Sequence, residues 1–417
     1  MNIPKLRFKE FTDEWQIKKL DKNTYIKARV GWKNLKASEY VSSGIPMIAG
    51  QHIKQGKILW DKVDFITNER YDESPEIQLK NNDIIFSKDG SLGNPAIIKN
   101  MPKKATINGT MMLIRLNYIN DNVSPNYFYQ ICNSQYFKKM VSLIKSGGTV
   151  PHIFQRDIIN FTFPIPKTLE EQEKIANFLS IVDKKVENLK NTITSLENQK
   201  KGLLQQIFSQ KLRFKDKNGN NYPNWEKKKL GDIATLKNGI SKSNEAFGHG
   251  KKFINLQDIF NKSYIFNDNY SLVDVTEKEL SENNLLKGDV LFVRSSVKRE
   301  GVGLPCVIME NLIDTVYSGF IIRCRFNINE NIYLHYKKYC FLEFSFRKAL
   351  LKKSSSSANT NINQDNLSKL YVKLPCLEEQ TKIADFLSAF DRKLENQKAQ
   401  LEHWKQIKKG LLQQMFV

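Results

Sequence analysis

LEEQEKIANFLS at residues 169–180 returns as LEEQTKIADFLS at residues 377–388, and each copy continues without a gap into KKGLLQQ. Between residues 169–208 and 377–416, 23 of the 40 aligned positions are identical. Shared helix composition would not produce this agreement. The chain is therefore duplicated, and the molecule performs one task twice.

Apolar residues in both copies recur at alternating spacings of four and three, the period that keeps one face of a helix against a partner helix. A lysine interrupts the pattern at the same place in each copy, Lys200 and Lys408. We call the two apolar rows the first seam and the second seam. They consist of Ile175, Leu179, Val182, Val186, Leu189, Ile193 and Leu196, and of Ile383, Leu387, Phe390, Leu394, Leu401 and Trp404.

Two arrangements would bury these seams. A homodimeric coiled coil would pair helices from two chains, whereas an intramolecular pair would place the two similar helices antiparallel, related by an approximate two-fold axis. We favour the intramolecular pair, which puts one globule at each end of a double rod. About forty residues at 1.5 Å per residue give rods of about 60 Å.

The first helix is predicted to begin near residue 169. Pro166 lies just upstream, and Thr168 with Glu171 three residues later matches a capping box, in which each side chain accepts from the backbone N–H of the other residue. Cys376 cannot take the role of Thr168, so we expect a weaker start for the second helix.

The charge balance indicates a polyanionic partner. The 417 residues include 65 Lys and Arg against 44 Asp and Glu, which gives a net charge of +21 and a pI near 9.5. Nucleic acid is the leading candidate. The alternative is a lysine-rich surface with no nucleic-acid partner.

No membrane partner is expected, because the sequence has no apolar run of about 18 residues or more. The start, MNIPKLR, does not lead into the apolar stretch of a signal peptide, so we expect a cytoplasmic protein. The cysteines never form C-x-x-C and are predicted to be reduced and mostly buried. They are Cys132, Cys306, Cys324, Cys340 and Cys376.

Ahead of each long helix, the pattern predicts a mixed α/β globule. Short β-branched and aromatic runs predict strands at residues 48–53 and 83–86 and at their counterparts 254–259 and 289–292. The basic segments 127–145 and 333–353 are predicted to be helical. The fold class is therefore α+β, with two mixed α/β globules joined by two long antiparallel coiled-coil helices in a pseudo-two-fold internal repeat. The predicted boundaries are 1–167, 168–208, 209–375 and 376–417.

No catalytic motif is found in the sequence. The nucleotide-binding G-x-x-x-x-G-K-[ST], the metal-binding H-E-x-x-H and the hydrolase G-x-S-x-G are all missing. The histidines have no carboxylate or cysteine nearby in sequence that is repeated between the halves, and no metal site is predicted. We therefore expect a non-catalytic protein.

The repeated segment L-E-E-Q-x-K-I-A-x-F-L-S-x-x-D, placed after a proline-containing strand end and before a long helix, resembles the specificity subunits of Type I restriction-modification systems. The resemblance covers nearly the whole chain. It implies that residues 1–167 and 209–375 are target-recognition domains. Each domain would read one half of an asymmetric, bipartite sequence in double-stranded DNA. Residues 168–208 and 376–417 would be the spacer helices that separate the half-sites.

The resemblance also implies partners. Two methyltransferase subunits would dock on the helices and globules to form an adenine-N6 methyltransferase, and restriction subunits with helicase and nuclease activity would complete the complex. S-adenosylmethionine, ATP and Mg²⁺ would belong to those partners, so no cofactor is expected in this chain.

The candidate DNA contacts lie mainly in loops that differ between the halves. Lys and Arg bind phosphates or guanine edges, and Ser and Gln complement them. Because residues 87–92 and 293–300 differ in length and charge, the two half-sites are expected to differ, and a palindrome is not expected. The candidates are Gln51, Lys88, Ser91 and Thr149 in the first domain, and Gln257, Arg294, Ser296, Lys298, Arg299 and Thr360 in the second.

Two other functions remain open from the residues alone. A stand-alone DNA-binding regulator would use the same basic globules without a methyltransferase and would read a palindrome. A coiled-coil adaptor would bind protein and not DNA. For a specificity subunit, rods of about 60 Å against roughly 34 Å for one turn of DNA predict half-sites about one turn apart or somewhat more.

Overall fold

The computed structural model describes residues 4–20, 24–28, 35–116, 122–146, 151–356 and 359–416. The chain forms two compact units, one of residues 1–190 with 399–417 and the other of residues 191–398. Each unit therefore contains one globule and one half of each long helix. The boundaries predicted from the sequence between globule and helix stay a prediction.

The first unit is built around a four-stranded antiparallel sheet in the order β2-β10-β7-β8, next to a three-stranded sheet in the order β6-β3-β9. Its strands are β1 Gln16–Lys19, β2 Tyr25–Ala28, β3 Ile45–Ile48, β4 Ile53–Lys54, β5 Lys57–Ile58, β6 Asp64–Ile66, β7 Ile84–Ser87, β8 Gly93–Ile97, β9 Thr106–Ile107, β10 Met111–Arg115 and β11 Thr162–Ile165. Its helices are α1 Asn68–Asp72, α2 Pro125–Asn133, α3 Gln135–Ser146, α4 Gln155–Ile159 and the start of the long α5 Leu169–Phe208.

The second unit has a five-stranded sheet in the order β13-β21-β17-β19-β15 and a three-stranded sheet in the order β16-β14-β20. Its strands are β12 Glu226–Lys229, β13 Ala234–Asn238, β14 Phe247–Ile254, β15 Tyr264–Ile265, β16 Ser271–Val273, β17 Val290–Val293, β18 Ser295–Ser296, β19 Pro305–Ile308, β20 Thr315–Tyr317, β21 Ile321–Phe326, β22 Ser355–Ser356, β23 Thr360–Asn361 and β24 Tyr371–Leu374. Its helices are α6 Leu230–Ile233, α7 Leu256–Ile259, α8 Glu277–Asn283, α9 Tyr336–Leu342, α10 Phe344–Lys353, α11 Gln364–Ser368 and the start of the long α12 Leu377–Gln414.

The strands β7 and β17 are buried along their whole length because their sheets are covered on both faces. In β7, Ile84 and Phe86 belong to the core shared with the helices, whereas Ile85 belongs to the core on the opposite face. Strand β17 divides its residues in the same way, with Val290 and Phe292 on the helical side. In each globule, one sheet thus separates the core on the helical side from a core on the opposite face.

The long helices run antiparallel within each unit. In the first unit, Ile175 and Leu179 share a core with Met415 and Phe416. In the second, the end of α5 shares a core with the beginning of α12, where Ile383 lies. The predicted α+β fold with two mixed globules and two long antiparallel helices is confirmed.

Burial differs between the two seams. Every residue of the first seam is buried, and so are Ile383 and Leu387 of the second. The remaining four residues of the second seam are only half-buried: Phe390, Leu394, Leu401 and Trp404. The middle of α12 therefore keeps part of its apolar surface open.

Two strand predictions were wrong in position. Of residues 48–53, only Ile48, the end of β3, and Ile53, the start of β4, lie in strands, and a 3₁₀ turn lies between them because the Ala49 N–H donates to His52 Nδ1 at 3.0 Å. Of residues 254–259, only Ile254, the end of β14, lies in a strand, and the helical turn α7 follows. In both cases a side chain caps the turn, which apolar alternation does not reveal.

The two predicted basic helices are each broken in the middle. Residues 127–145 form α2 and α3, separated at Ser134, whose Oγ accepts from the Tyr136 N–H at 3.2 Å. Residues 333–353 form α9 and α10, separated at Glu343, whose carboxylate accepts from the first N–H groups of α10. These side chains cap a new helix start and so end the preceding helix.

Four of the five cysteine thiols are buried and free, and Cys376 is half-buried and free. Burial raises the pKa of each buried thiol, to about 12 for Cys306. These thiols behave as small apolar side chains.

Candidate nucleic-acid interface

The loop after β7 begins at Lys88, whose backbone is fixed on both sides. The Lys88 N–H donates to the Thr110 carbonyl at 2.9 Å, and the Lys88 carbonyl accepts from the Ile153 N–H at 3.0 Å. These bonds tie together three segments that are distant in sequence. The end of β7 is therefore a rigid platform for the loop.

The loop after β17 is fixed by the same pair of bonds. The Arg294 N–H donates to the Phe320 carbonyl at 2.9 Å, and the Arg294 carbonyl accepts from the Ile362 N–H at 3.0 Å. Lys88 and Arg294 thus occupy equivalent positions on one backbone framework. The framework is duplicated, while the side chains on it differ.

In the first unit, the Lys88 side chain is buried and turned toward Asp89, with Nζ to Oδ2 at 3.3 Å. The Asp89 carboxylate also pairs with Nδ1 of His152. The His152 ring lies 4.5 Å from the ring of Phe154, and the Arg156 guanidinium covers that ring at 4.7 Å. The group presents an exposed aromatic ring next to a cation, a combination suited to stacking on bases or sugars.

Gln51 and Ser91, predicted as DNA contacts, are both exposed. Gln51 is on the 3₁₀ turn, where its Nε2 lies 3.2 Å from Nε2 of His52. That turn packs closely on the end of β7, since a Cβ at Gly50 would lie 2.4 Å from Ser87 Oγ. The close approach brings Gln51 to the same end of the sheet as Lys88. Thr149 lies outside the described residues.

In the second unit, Ser296 and Thr360 lie opposite each other in a three-stranded sheet of order β18-β23-β22. Both residues were predicted separately as DNA contacts. Their side chains are 8% and 7% exposed. Burial in this small sheet favours a structural role over direct contact with DNA.

The segment that follows Ser296 is exposed, including Lys298 and Arg299. A 3₁₀ turn, Arg299–Gly301, ends it. The Nη2 of Arg347 on α10 donates to the Glu300 carbonyl at 2.8 Å and holds the turn. Lys298 and Arg299 are therefore cationic side chains on an anchored, outward-facing loop, as contacts to phosphates or guanine edges require.

Arg347 is an unusual anchor. Its buried Nη1 has no hydrogen-bond partner within the described ranges, and burial lowers the pKa of this guanidinium to about 10. The remaining two predicted contacts differ in exposure. Gln257 is exposed on α7, whereas Arg294 is half-buried, and its Nη1 donates to the Gly319 carbonyl at 2.9 Å.

Sequence reasoning missed the exposed aromatic residue beside each platform, Phe154 at 48% and Phe320 at 61% exposure. It also missed the pairing of His152 with Asp89, which lies 63 residues earlier. An apolar residue in a short polar segment is a weak signal for an exposed ring, and no local pattern reveals so distant a partner.

Each globule is clamped to the start of its long helix by one buried carboxylate. Glu171 accepts from Arg7 Nε at 2.7 Å and from Trp15 Nε1 at 3.0 Å. Glu379 accepts in the same way from Arg213 and Trp225. These contacts join the beginning of each globule to the start of its long helix.

The predicted capping box is therefore only half correct. The Glu171 N–H does donate to Thr168 Oγ1 at 3.3 Å. The Glu171 carboxylate, however, is engaged by Arg7 and Trp15, because an arginine fork binds a carboxylate more strongly than a single backbone N–H does.

None of the helices in the described ranges is long and apolar enough to cross a membrane. Among the same residues, no three or more His, Cys, Asp and Glu side chains are grouped so that they could hold a metal ion.

Comparisons with known proteins match both halves of the chain. A family model described as the Type I restriction modification DNA specificity domain matches residues 13–198 and residues 222–403. The MjaVIII specificity subunit of a Type I restriction enzyme from Methanocaldococcus jannaschii is 25% identical over 213 residues, covering 50% of this chain and 49% of that protein. This chain thus spans about half the length of that relative.

Two further matches extend over most of the chain. The EcoKI specificity subunit of a Type I restriction enzyme from Escherichia coli is 21% identical over 383 residues, covering 88% of this chain and 80% of that protein. The crystal structure of a Type I restriction-modification S subunit from M. genitalium aligns with a TM-score of 0.58 at 17% identity, covering 100% of this chain and 99% of that one. The latter similarity shows a shared fold.

Proposed function

The chain belongs to the family of Type I restriction modification DNA specificity domains, and on this basis we propose that it is the DNA-recognition subunit of a Type I restriction-modification complex. Each unit reads one half of a bipartite sequence in double-stranded DNA. Partner subunits methylate adenine at N6 and cleave DNA, and they bind S-adenosylmethionine, ATP and Mg²⁺. The chain itself is non-catalytic and acts in the cytoplasm.

One observation carries the proposal of an asymmetric site. Lys88 and Arg294 are held by the same two backbone hydrogen bonds, yet the exposed side chains around them differ. The first unit presents Ser91 and Phe154 with Arg156, whereas the second presents Phe320 with Lys298 and Arg299. One framework with two different surfaces supports two different half-sites, because base edges are distinguished by the donors and acceptors facing them.

The long helices support the proposed partners. On α5, Phe178 and Ile181 are 36% and 65% exposed, and the middle of the second seam is half-buried. Apolar residues on an exposed helix face favour contact with another protein. We therefore assign the docking of two methyltransferase subunits to this region, with the restriction subunits joining the resulting complex.

The other two functions are not favoured by the family membership. A stand-alone regulator would read a palindrome, which two different surfaces do not suit. A coiled-coil adaptor that binds only protein would not require two basic surfaces whose exposed side chains differ.

The test is methylation in cells. The chain is co-expressed with its modification subunit in a host free of adenine methylation, and methylated adenines are then mapped at base resolution. We expect one gapped motif with two different half-sites. The modification subunit alone is the control and should give no motif.

A methylated palindrome would contradict the asymmetric site. A stable, folded complex with no methylation at all would contradict the proposed function.

A further inference from the structure

The lysine that interrupts each seam has an acidic partner on the other long helix. In the second unit, Lys200 of α5 pairs with Asp391 of α12. In the first unit, Lys408 of α12 pairs with Asp183 of α5, with Nζ to Oδ1 at 2.5 Å. Lys200 and Lys408 are equivalent in the duplication, as are Asp183 and Asp391. The same ion pair therefore forms twice: α5 supplies the lysine in the second unit, and α12 supplies it in the first.

The pair in the second unit lies within a network. The Asp391 side chain is 14% exposed and that of Lys200 is 21% exposed. Lys338 Nζ and Tyr339 OH each donate to Asp391 Oδ2 at 2.7 Å, and Tyr339 OH also lies 3.0 Å from Ser388 Oγ. Burial acts to raise the pKa of Asp391, but Lys338 and Lys200 hold it below its ordinary value. The carboxylate is thus ionised at neutral pH and fully engaged in this register.

The pair in the first unit is less enclosed. The side chains of Asp183 and Lys408 are 31% and 27% exposed, and besides the contact with Lys408, Asp183 accepts a long bond, 3.4 Å, from Gln130 Nε2. Gln130 takes the position of Tyr339, since Tyr127 and Tyr336 anchor their helices by equivalent bonds. The second unit therefore contributes the stronger constraint.

An apolar seam alone specifies register weakly. Between the helix ends, which the globule cores hold, Leu, Ile and Val can substitute for one another when one helix shifts past its partner, so neighbouring registers of this middle segment bury similar surface. A buried charge does not permit this, because sliding leaves a carboxylate and an ammonium without partners. Fixing register is the best-attested role of polar residues within such seams.

We propose that the Lys200–Asp391 and Lys408–Asp183 pairs set the register of the two long helices and thereby restrict the protein to one gap length between its half-sites. This inference rests on the proposed function. A third cross-helix pair, Glu197–Lys398, has side chains 48% and 52% exposed, and an exposed pair contributes little. It provides a matched control.

The first test replaces both seam lysines by the residue type of the seam, in the variant K200L/K408L, co-expressed with the modification subunit. Asp391 keeps Lys338 and Tyr339 as partners, and the Asp183 side chain is 31% exposed, so neither carboxylate is left both buried and unpaired. Wild type should methylate one motif with one gap. The variant should methylate the same half-sites at additional gap lengths.

Two controls accompany this variant. The exposed-pair variant E197Q/K398M and the reversed pair D183K/K408D should both keep the single wild-type gap. If K200L/K408L methylates only the wild-type gap, the inference is overturned. If this double variant yields no stable complex, K200L alone gives the same readout, because it removes the stronger pair while Lys338 and Tyr339 still hold Asp391.

A second test measures register without DNA. Spin labels are placed at E197C and K398C in a C376S background, and the distance between them is measured by pulsed electron resonance. The chain with both seam lysines should give one narrow distance, and the K200L/K408L chain should give several. A single distance in both chains would overturn the inference, whether or not methylation is detected. If the wild-type complex methylates no gapped motif, that result counts against the proposed function and not against the inference.

Discussion

Glu171 and Glu379 each join a globule to the start of its long helix, and Glu379 is the more deeply buried of the two. Its side chain is 0% exposed, and it accepts from Arg213 Nη2 at 2.7 Å and from Trp225 Nε1 at 2.8 Å. Both donors come from the beginning of the second globule, 154 or more residues earlier. A single side chain therefore closes the globule onto the helix.

The substitution Glu379→Gln should destabilise the second unit by about 3 kcal/mol, because removing one partner of a buried ion pair leaves the other charge uncompensated. The amide also presents an N–H₂ group to two donors. The measurement is chemical denaturation of the full chain. Glu378→Gln, at the exposed neighbouring glutamate, is the control and should change stability by less than about 0.5 kcal/mol. Equal stability of the two variants would contradict the prediction.

At this scale the sequence predicted residue types better than partners. Glu171 fitted a capping box because its local spacing is correct, but its carboxylate binds Arg7, which is 164 residues away. Ser296 and Thr360 were named separately as DNA contacts, and their pairing across a sheet became visible only in the fold. Pairings between distant segments depend on topology, which local spacing does not encode.

Among the elements, the loop after β17 is the clearest difference between the two units. It is longer than the loop after β7, it carries Lys298 and Arg299, and Arg347 holds its end. The backbone is anchored while these cationic side chains stay free. This arrangement suits recognition, because a positioned side chain loses less entropy on binding.

The substitution Arg299→Ala should reduce discrimination at the second half-site by about 1–3 kcal/mol if the arginine contacts a base edge. Binding of the assembled complex is measured on three duplexes, one intact and two with one half-site scrambled each. The penalty for scrambling the second half-site should shrink, and the penalty for scrambling the first should not change.

Lys287→Ala is the matched control, since Lys287 is exposed near the opposite end of β17. It removes one positive charge without touching the loop, so both penalties should stay at their wild-type values. If Arg299→Ala lowers binding to all three duplexes equally, the arginine contacts phosphate and not a base.

Element boundaries were predicted unevenly for a physical reason. Strands β7 and β17 were located to within one residue, because a strand in a sheet covered on both faces is mostly a continuous apolar run. The predicted helix over residues 127–145 is broken at Ser134, because that hydroxyl caps a new helix. A capping side chain can end a helix where the apolar residues still follow the helical period, so the apolar pattern does not show the break.

At the scale of the whole molecule, the duplication places an Asp and then a Lys along each long helix. Asp183 precedes Lys200 on α5, and Asp391 precedes Lys408 on α12. The sequence showed the lysines as interruptions, but it could not show their partners, which lie on the other helix. The length between Asp and Lys is the same on both helices, so the two pairs form together.

Matched insertion of seven residues into both helices should lengthen the gap between half-sites without altering either half-site. The insertions are placed within residues 184–196 and 392–404, between the Asp and the Lys of each helix, and they continue the seam spacing. Both ion pairs can then form as before. Seven helical residues add about 10 Å, which corresponds to about three base pairs. Methylation sequencing of the co-expressed complex measures the gap directly.

Insertion into α5 alone is the informative control. Lys200 and Asp391 could then pair only if Asp183 and Lys408 did not, because the spacings on the two helices would no longer agree. We expect methylation to fall sharply for the single insertion and to be retained, at the longer gap, for the matched one. Equal methylation at an unchanged gap in both insertion variants would mean that the length of the helices does not determine the distance between the half-sites.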